Sequence, residues 1–499
     1  MAEIIGDNRV FGISSFLSDD ASRHELEEFI LAHRDKNPSQ LRLKYLSDKR
    51  LTQYDREKLE FFILQLEASS RFGKKISGLA TLCYPSMIAG EQASNVRVSL
   101  FHASLVRDER SFIDLTAGLG IDFMIIARRI NPEGNNCTAI EMDAIKADCL
   151  EANLRLNGFA GAVVVNTESI EYLRGMRRQN ITYELIYVDP ARRSKSGGRI
   201  YDPADCTPDI ITNRHLLLAA GRRILIKNSP MLDITKCLEL FPEAKNIYIV
   251  SYRNECKEIL VDIDREADPY DALQTSAKRI IAVDIREDSD IRQESFTSEE
   301  IRLKYTAGYV DPEELEEYEG ADHHEFPEES ADEDHHICPE GNEGSAHPES
   351  AGISRQSSDS RNSQNSPDFQ DSKKVTLWLY EPSVAIMKTG AWRILAERYG
   401  LRKCSPNCHL FISERFRPEF PGRILRLNRV IRKKDIKSLK GEKRNVVVRN
   451  YQMKADQLAA RLKVIPGSDR YIYGLTAGDK ERPLLIEAIQ SSPSGLIHN

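Results

Sequence analysis

The sequence predicts an α/β fold built on one open, mostly parallel sheet. Three segments of the 499-residue chain support this prediction: an apolar strand that runs into a glycine turn at Phe112–Asp122, a short strand that ends at Glu141, and an apolar run that ends at Asp189. Each segment places polar groups after a strand. Ligands bind at the carboxyl ends of the strands in open α/β sheets. The sequence therefore predicts a ligand site along that edge.

The first strand ends in the sequence Asp114-Leu-Thr-Ala-Gly118-Leu-Gly120, and a helix is predicted over residues 123–130. Gly118 and Gly120 allow backbone geometry and a close ligand approach that a side chain would block. That layout suits any adenosine cofactor. The next strand, 137–141, ends at Glu141, about twenty residues past the turn, where a doubly wound fold delivers a carboxylate to ribose hydroxyls.

The remaining elements of the sheet follow in order along the chain. Asn157-Gly158 closes a helix predicted over residues 144–156, because glycine commonly ends helices. Strands are then predicted over residues 162–165, 183–188 and 222–226, with a further pair at 246–250 and 258–263 joined by a turn at 253–255.

The glycine turn leaves two cofactors in competition. A nicotinamide enzyme favours a third glycine three residues after the second, but Phe123 occupies that position, and no hydride-handling His or Tyr-Lys set follows. The stretch Asp189-Pro190-Ala191-Arg192 resembles motif IV of the class I S-adenosylmethionine-dependent methyltransferases, and Asp114–Gly120 resembles their motif I. The resemblance implies a Rossmann-like sheet, S-adenosylmethionine as cofactor and methyltransferase activity.

The same resemblance assigns roles to individual positions. It implies that the glycine loop holds the methionine part of the cofactor, that the acid after the second strand holds the ribose, and that the loop after the third strand touches adenine. The cofactor-binding residues it implies are Asp114, Thr116, Gly118, Gly120, Asp122, Glu141, Met142, Asn166, Glu168 and Ser169. The catalytic residues it implies are Asp189, Pro190 and Arg192.

The reaction type depends on the fourth motif. Amino-methylating relatives read Asn/Asp-Pro-Pro-Tyr/Phe there, with the aromatic ring stacked on the base, whereas Ala191 and Arg192 stand at the last two positions here. A standard adenine N6 assignment therefore stays open, with Tyr201 a candidate for the missing ring. Direct attack by a nitrogen needs positioning and a hydrogen-bond acceptor. Asp189, helped by the Pro190 carbonyl, is the candidate acceptor; capping of the following turn is its alternative role.

Covalent catalysis is disfavoured. The motif also resembles the Asp-Pro-Pro-Arg of uracil C5 methyltransferases, which use a cysteine nucleophile near the end of the fifth strand. That place reads Lys227-Asn228-Ser229-Pro230 in this chain. Cys206, Cys237 and Cys256 lie elsewhere and are expected to be ordinary thiols.

Charge divides the chain, although its overall net charge is only −7. Residues 311–350 hold 16 Asp/Glu and no Lys/Arg, whereas residues 375–499 hold 24 Lys/Arg and 11 Asp/Glu. A basic module is the usual electrostatic footprint of a nucleic-acid partner. The basic loop 192–199 fits either phosphate contact or an ordinary solvated loop.

The sequence gives no sign of a metal, membrane or secretory protein. Its nine cysteines lack paired spacings, and Cys404 and Cys408 form the only close pair, without a second pair to complete a zinc site. The histidine pairs at 323–324 and 335–336 fall in a segment expected to be disordered. No signal peptide or apolar run of about 18 residues is present. Reduced thiols and a cytoplasmic location are the default expectation.

Five regions are predicted. They are a helical region at 1–100, a methyltransferase domain at 101–265, a small ferredoxin-like α/β module at 266–310 plus 374–440, a disordered acidic and Ser-rich insertion at 311–373, and a THUMP-like domain at 441–499. Pairing of the strand-like runs 279–285 and 376–380 would make the insertion internal to the small module. The segment 85–95 is expected to pack on the sheet, with a role over the cofactor as the alternative.

The tail carries the second resemblance. Its strand-helix-strand-strand pattern, with Gly467-Ser-Asp-Arg-Tyr-Ile-Tyr-Gly474, resembles the THUMP-like domain of a bacterial class I methyltransferase family, which also has counterparts of residues 189–193 and 227–233. Related THUMP domains bind structured RNA, so tRNA or rRNA is the implied substrate. Three hypotheses follow: an RNA base methyltransferase, a methyltransferase of a protein or small molecule, and a non-catalytic RNA-binding protein of the same fold.

Overall fold

A computed structural model describes residues 11–79, 82–192, 203–265, 278–286, 290–302, 308–318 and 376–490. The N-terminal part is helical, as predicted, and all its helices but the first have polar N-caps; Thr52, for example, forms a capping box with Asp55. The helices are α1 (Ile13–Ser18), α2 (Asp20–His33), α3 (Pro38–Leu46), α4 (Gln53–Phe72), α5 (Met87–Gln92) and α6 (Val96–Ser104).

A nine-stranded sheet forms the centre of the molecule. Its strands are β1 (Phe112–Asp114), β2 (Cys137–Glu141), β3 (Val163–Asn166), β4 (Tyr183–Val188), β7 (Gly221–Asn228), β8 (Asn246–Tyr252), β9 (Glu255–Asp264), β10 (Arg279–Ile285) and β11 (Ile291–Thr297). Strands β5 (Ala191–Arg192) and β6 (Cys206–Thr207) form a separate two-stranded ladder. The strand order is β11-β10-β8-β9-β7-β4-β1-β2-β3.

Parallel pairing from β3 to β7 and the antiparallel strand β9 confirm the predicted α/β sheet. The connecting helices are α7 (Ile121–Ile130), α8 (Ala144–Leu156), α9 (Ser169–Gln179), α10 (Arg214–Ala220) and α11 (Ile234–Leu240). The bounds of β2, α8, β4 and β10 are those predicted from the sequence. The other elements of the sheet begin or end a few residues away, as expected where helices and strands fray.

Strand β10 pairs with a different strand from the one that the sequence analysis considered. The run 279–285 was expected to begin a small module, but β10 pairs in parallel with β8 and extends the large sheet, and β11 follows it as an antiparallel edge. Ile280, Ala282 and Val283 in β10 are buried, because both faces of this part of the sheet are covered. The strand at 378–382 lies in another sheet, so these two runs do not pair.

The C-terminal part contains a seven-stranded sheet with its own core. Its strands are β12 (Trp378–Pro382), β13 (Arg402–Ser405), β14 (Cys408–Ser413), β15 (Gly422–Val430), β16 (Asn445–Arg449), β17 (Arg470–Ala477) and β18 (Arg482–Gln490), in the order β13-β14-β12-β15-β18-β17-β16. The tail was expected to be a separate unit, yet β18 pairs with β15 and so places both parts in one sheet. The exact domain boundaries stay a prediction.

Three helices belong to this part of the chain: α12 (Pro312–Glu317), α13 (Val384–Thr389) and α14 (Trp392–Tyr399). Helices α13 and α14 are separate because Gly390 adopts φ 75° and ends α13. The first residues of the predicted insertion are folded: Asp311 caps α12, and Leu315 is fully buried. Residues 319–373 lie outside the described ranges.

The faces of the large sheet are covered by different parts of the chain. Helix α13 packs against β8, β9 and β10 through buried Ala385 and Ile386, which joins the C-terminal module to the sheet. Helix α6 packs against α7 on the other face, where Phe101 and Phe123 are fully buried. The carboxyl ends of β1, β2, β4 and β7 are left to form a cavity.

Candidate active site

A cavity of about 950 Å³ opens at the carboxyl edge of the large sheet. Its size is within the range of pockets that enclose cofactors and small ligands. The predicted positions that line it are Asp114, Thr116, Gly118, Asp122, Glu141, Met142, Glu168, Ser169, Asp189 and Pro190. The structure therefore brings most of the predicted site residues to one place.

The glycine turn between β1 and α7 shapes one wall of the cavity. Gly118 has φ 56° and Gly120 has φ 85°, the left-handed region that strongly favours glycine. A Cβ atom at Gly120 would lie 2.6 Å from Cδ1 of Leu150 in α8, so a side chain there would displace the Leu150 side chain. Gly120 itself does not line the cavity. Its role is to place the turn close to α8.

The acid after β2 is held by backbone groups. One carboxylate oxygen of Glu141 accepts a hydrogen bond from the Gly118 N–H at 3.2 Å, and the other accepts from the Asp143 N–H at 2.9 Å. Asn166 Nδ2 donates to the Glu141 carbonyl at 2.8 Å and does not line the cavity. Glu141 and the glycine turn are thereby fixed relative to each other, and Asn166 acts on the cavity only through Glu141.

Thr116 connects the glycine turn to the fourth strand. Its hydroxyl accepts a hydrogen bond from the Asp189 N–H at 2.7 Å and lies 3.3 Å from Oδ1 of Asp114, to which it donates. The Thr116 N–H also donates to that carboxylate at 2.8 Å. Burial raises the pKa of Asp114 well above its usual range, although the Thr116 N–H opposes this. The two predicted motifs thus share one hydrogen-bonded contact.

Lys227, at the end of β7, forms an ion pair with Asp189. Its Nζ lies 2.7 Å from Oδ2 of Asp189 and 3.0 Å from the hydroxyl of Ser94. Because Val188 of β4 pairs with Ile226 of β7, Asp189 and Lys227 follow at the same level of the sheet. The Asp189 side chain is 38% exposed, so it faces the cavity while Lys227 is nearly enclosed.

A buried hydrogen-bonded network continues from Lys227 into the protein. The Asp122 carboxylate accepts hydrogen bonds from Ser94, Ser99, His102 and Tyr187 and lies 3.7 Å from Nζ of Lys227. The other ring nitrogen of His102 contacts the Glu258 carboxylate in β9. Asp122 was predicted to bind cofactor, but its carboxylate is occupied by protein donors. It anchors α6 and β4 to the site.

The charged groups of this network shift one another's pKa values. Burial would raise the pKa of the Asp122 carboxyl, but Lys227 and His102 outweigh burial and hold it below its usual range. Burial would likewise lower the pKa of Lys227, but Asp189, Asp122 and Glu258 raise it. Enclosure raises the pKa of Asp189, and Lys227 opposes that rise. Lys227 is therefore the group that favours an ionised Asp189.

His102 gives the network a pH dependence that can be measured. Burial lowers the pKa of His102, but Glu258 and Asp122 outweigh it and raise the pKa from 6.5 to about 10. A group whose pKa is raised on folding stabilises the protein fully below its unfolded pKa and loses that contribution as pH rises through its folded pKa. We therefore expect the free energy of unfolding to fall between pH 6.5 and about pH 10, by up to about 1.4 kcal/mol per pH unit.

Urea unfolding at several pH values checks this expectation. His102→Gln should lack the decline that the wild-type protein shows over that range. His24→Gln, a substitution at an exposed histidine of α2, is the matched control and should keep it. Equal declines in the wild-type and His102→Gln proteins would show that His102 is not charged in the folded state.

Asn228 was not assigned a role from the sequence. The last residue of β7, it lines the cavity and is buried, and its Nδ2 donates to the Ile226 carbonyl at 3.2 Å. Among the described residues its Oδ1 finds no hydrogen-bond donor. Buried acceptors in proteins are almost always paired, so an unpaired one beside a cavity suggests a ligand donor. The only sequence signal was the position of Asn228 at the end of a predicted strand.

Some predicted features do not contribute, or cannot be placed. The backbone of Arg192 pairs with Cys206 in the β5–β6 ladder, and its side chain lies outside the described part of the structure. Residues 193–202, with the predicted basic loop and Tyr201, lie outside it as well. In the segment before the sheet, Gly90 packs closely on Phe72 of α4, and Gln92 and Ser94 line the cavity.

A known structure shares this fold over nearly the whole chain. A candidate methyltransferase from Porphyromonas gingivalis W83 matches with a TM-score of 0.68 and 23% identity, over 95% of this chain and 99% of that one. S-Adenosylmethionine-dependent methyltransferases from Agrobacterium tumefaciens and Neisseria gonorrhoeae match with TM-scores of 0.24 and 0.23 and identities of 13% and 18%. They cover 40% and 36% of this chain and 58% and 70% of their own. The first match confirms the predicted methyltransferase fold.

Residues 378–421 match a family model described as a ferredoxin-like domain, which confirms that part of the predicted C-terminal module. No curated protein matches the sequence. Within the described ranges, no helix has the length and apolar composition of a membrane span. The same residues contain no cluster of three or more His, Cys, Asp or Glu side chains arranged for a metal ion.

Proposed function

We propose that this protein transfers a methyl group from S-adenosylmethionine to an amine nitrogen of a base in structured RNA, such as tRNA or rRNA, by direct non-covalent transfer. The observation that carries the proposal is the single cavity that joins the glycine turn and Glu141 to Asp189 at the end of β4. That arrangement places a nucleoside-binding wall and a hydrogen-bond acceptor around one space.

The residues of the cavity fit S-adenosylmethionine. Gly118 and Leu119 would lie along its methionine part, Glu141 would hold the ribose, and Met142, Glu168 and Ser169 would border adenine. Met142 is 62% exposed, which leaves its side chain available for a flat ring. The lining contains six carboxylates and three lysines, an acidic balance that favours a cationic sulfonium. When bound, the cofactor supplies an electrophilic methyl group.

Asp189 and Asn228 form the acceptor side of the cavity, the side that would bind the amine that accepts the methyl group. Lys227 binds Oδ2 of Asp189, which leaves Oδ1 and the Pro190 carbonyl as acceptors, and Asn228 Oδ1 adds a third. Two such acceptors can bind the two hydrogens of an amine and so turn its lone pair toward the methyl group. Asp189 then receives the proton that the nitrogen loses. No cysteine lines the cavity, in agreement with a direct transfer.

The choice of RNA rests on the C-terminal region. Residues 375–499 carry a net charge of +13, which suits a polyanion. The elements β16, α15 (Ala455–Leu462), β17 and β18 form the strand-helix-strand-strand unit whose sequence resembles a THUMP-like domain. We keep that assignment as part of the proposal. Arg192, three residues after Asp189, is proposed to contact the RNA near the reacting base.

Transfer of label from radioactive S-adenosylmethionine tests this function. The purified protein is incubated with RNA from cells that lack the gene, and we expect label in one size class of RNA. Asp189→Ala is the control and should give none. Isothermal titration with S-adenosylmethionine, done in parallel, shows whether the cofactor binds.

The outcomes separate the parts of the proposal. Label in protein or in small molecules, with none in RNA, would replace the RNA substrate by another acceptor. Cofactor binding without any label would favour a protein of this fold that lacks transfer activity. Absence of cofactor binding would refute the methyltransferase proposal itself.

A further inference from the structure

A second cavity, of about 460 Å³, lies in the C-terminal module, apart from the candidate active site. It is formed by the end of β15, the 3-10 helix Lys433–Leu439, the start of β18 and helix α15. Its floor is apolar, with Leu458 and Leu462 of α15 buried. Tyr451 lines it as well, and we call this cavity the α15 groove.

The rim of the α15 groove is cationic. Arg432, Lys433 and Arg461 line it and are exposed, and among the described residues Glu316 is the only carboxylate in its lining. Glu316 is already paired with Arg482, at 2.8 Å. Lys433 and Arg461 have no carboxylate partner among the described residues, so their charges face solvent without compensation. A cation pair left unneutralised beside a cavity favours an anionic ligand.

The groove lies in the most basic part of the chain. Residues 423–449 hold 11 Lys/Arg and two Asp/Glu. Those at 432, 433, 434, 437, 440 and 443 are all exposed. The positive charge therefore continues along the surface beyond the groove. An extended row of exposed cations suits a polymer of phosphates better than a single small anion.

The remaining lining suits a base. Tyr451 packs against Gly474, where an added Cβ would lie 2.9 Å from its ring, so the ring is held in place at the groove. Any of the four RNA bases can stack on an aromatic ring that is fixed in this way. An apolar floor under a cationic rim offers one site for a flat base and another for its phosphate.

We propose that the α15 groove binds one unpaired nucleotide of an RNA, with its phosphate on Lys433 and Arg461 and its base against Tyr451. The neighbouring basic surface follows the backbone. The proposal deepens the proposed function, on which its choice of RNA rests. It assigns RNA capture to a surface distinct from the methyl-transfer cavity, so the two can be separated by mutation.

Fluorescence anisotropy with the full-length protein tests this. The probes are a labelled single-stranded RNA of about 16 nucleotides and a blunt-ended RNA duplex of the same length, which lacks unpaired nucleotides and should bind more weakly. The variant Lys433→Ala/Arg461→Ala should bind single-stranded RNA about tenfold more weakly at about 0.1 M salt, with the slope of log affinity against log salt reduced by about 1.5. Tyr451→Leu should weaken binding at least about fivefold without changing that slope.

Lys36→Ala/Lys49→Ala, which removes two exposed cations from the connections between the N-terminal helices, is the matched control and should bind as the wild type does. Equal loss in the control and groove variants would overturn the proposal, as would full binding by the groove variants or no binding by the wild type. Polyglutamate that competes as well as RNA would overturn base recognition. Calorimetry with S-adenosylmethionine on the same proteins shows independently whether the proposed transfer site is intact.

Discussion

Asp189→Ala is expected to lower the rate of methyl transfer about 10³-fold while the affinity for S-adenosylmethionine stays close to that of the wild type. In the proposed arrangement Asp189 binds the acceptor amine, whereas Gly118 and Glu141 contact the cofactor in the same cavity. Its removal takes away the group that orients the amine and receives its proton. The measurement is single-turnover transfer, with cofactor affinity from calorimetry.

Two further variants show which property of Asp189 matters. Asp189→Asn keeps the shape and one acceptor oxygen but cannot take a proton, so it should retain more activity than Asp189→Ala if orientation dominates. Ser229→Ala changes another lining residue and should have little effect, since its hydroxyl serves a local turn with Met231. Full activity of Asp189→Ala would show that Asp189 only caps its loop.

The sequence predicted the site where polar residues directly follow apolar runs. Asp189, Glu141 and the glycine turn could be found that way, because parallel strands bring their carboxyl ends to one edge. Helix α8 was predicted to the residue, since Asp143 caps its start and Gly158 follows its end. These features are local in the chain, and local physical chemistry determines them.

The features that the sequence did not predict depend on contacts between distant segments. His102 and Glu258 are 156 residues apart, and neither sits in a pattern that marks a site. The partner of β10 was missed for a similar reason: a strand pattern does not name the neighbouring strand. Its unbroken apolar run Ile280–Val283 was nevertheless a sign of a strand buried on both faces, as in the interior of a large sheet.

Lys227→Met is expected to move the acid limb of the pH–rate profile to higher pH. Enclosure raises the pKa of Asp189, and the ion pair with Lys227 opposes that rise. Without the lysine cation the pKa rises further, so a larger fraction of Asp189 is protonated at neutral pH and unable to accept a proton. Activity should therefore be low at neutral pH and recover as pH is raised.

The same substitution should lower the free energy of unfolding by about 3 kcal/mol, because Asp122 and Glu258 lose a cation that balances their buried charge. Lys227→Arg is the control, because it keeps the positive charge in the wider guanidinium group. The acid limb of its pH–rate profile should stay near that of the wild type even if its maximal rate falls. A Lys227→Met enzyme that is slower by the same factor at every pH would contradict this role. Lys227 would then position Asp189 without controlling its ionisation, and the network beneath it would be structural.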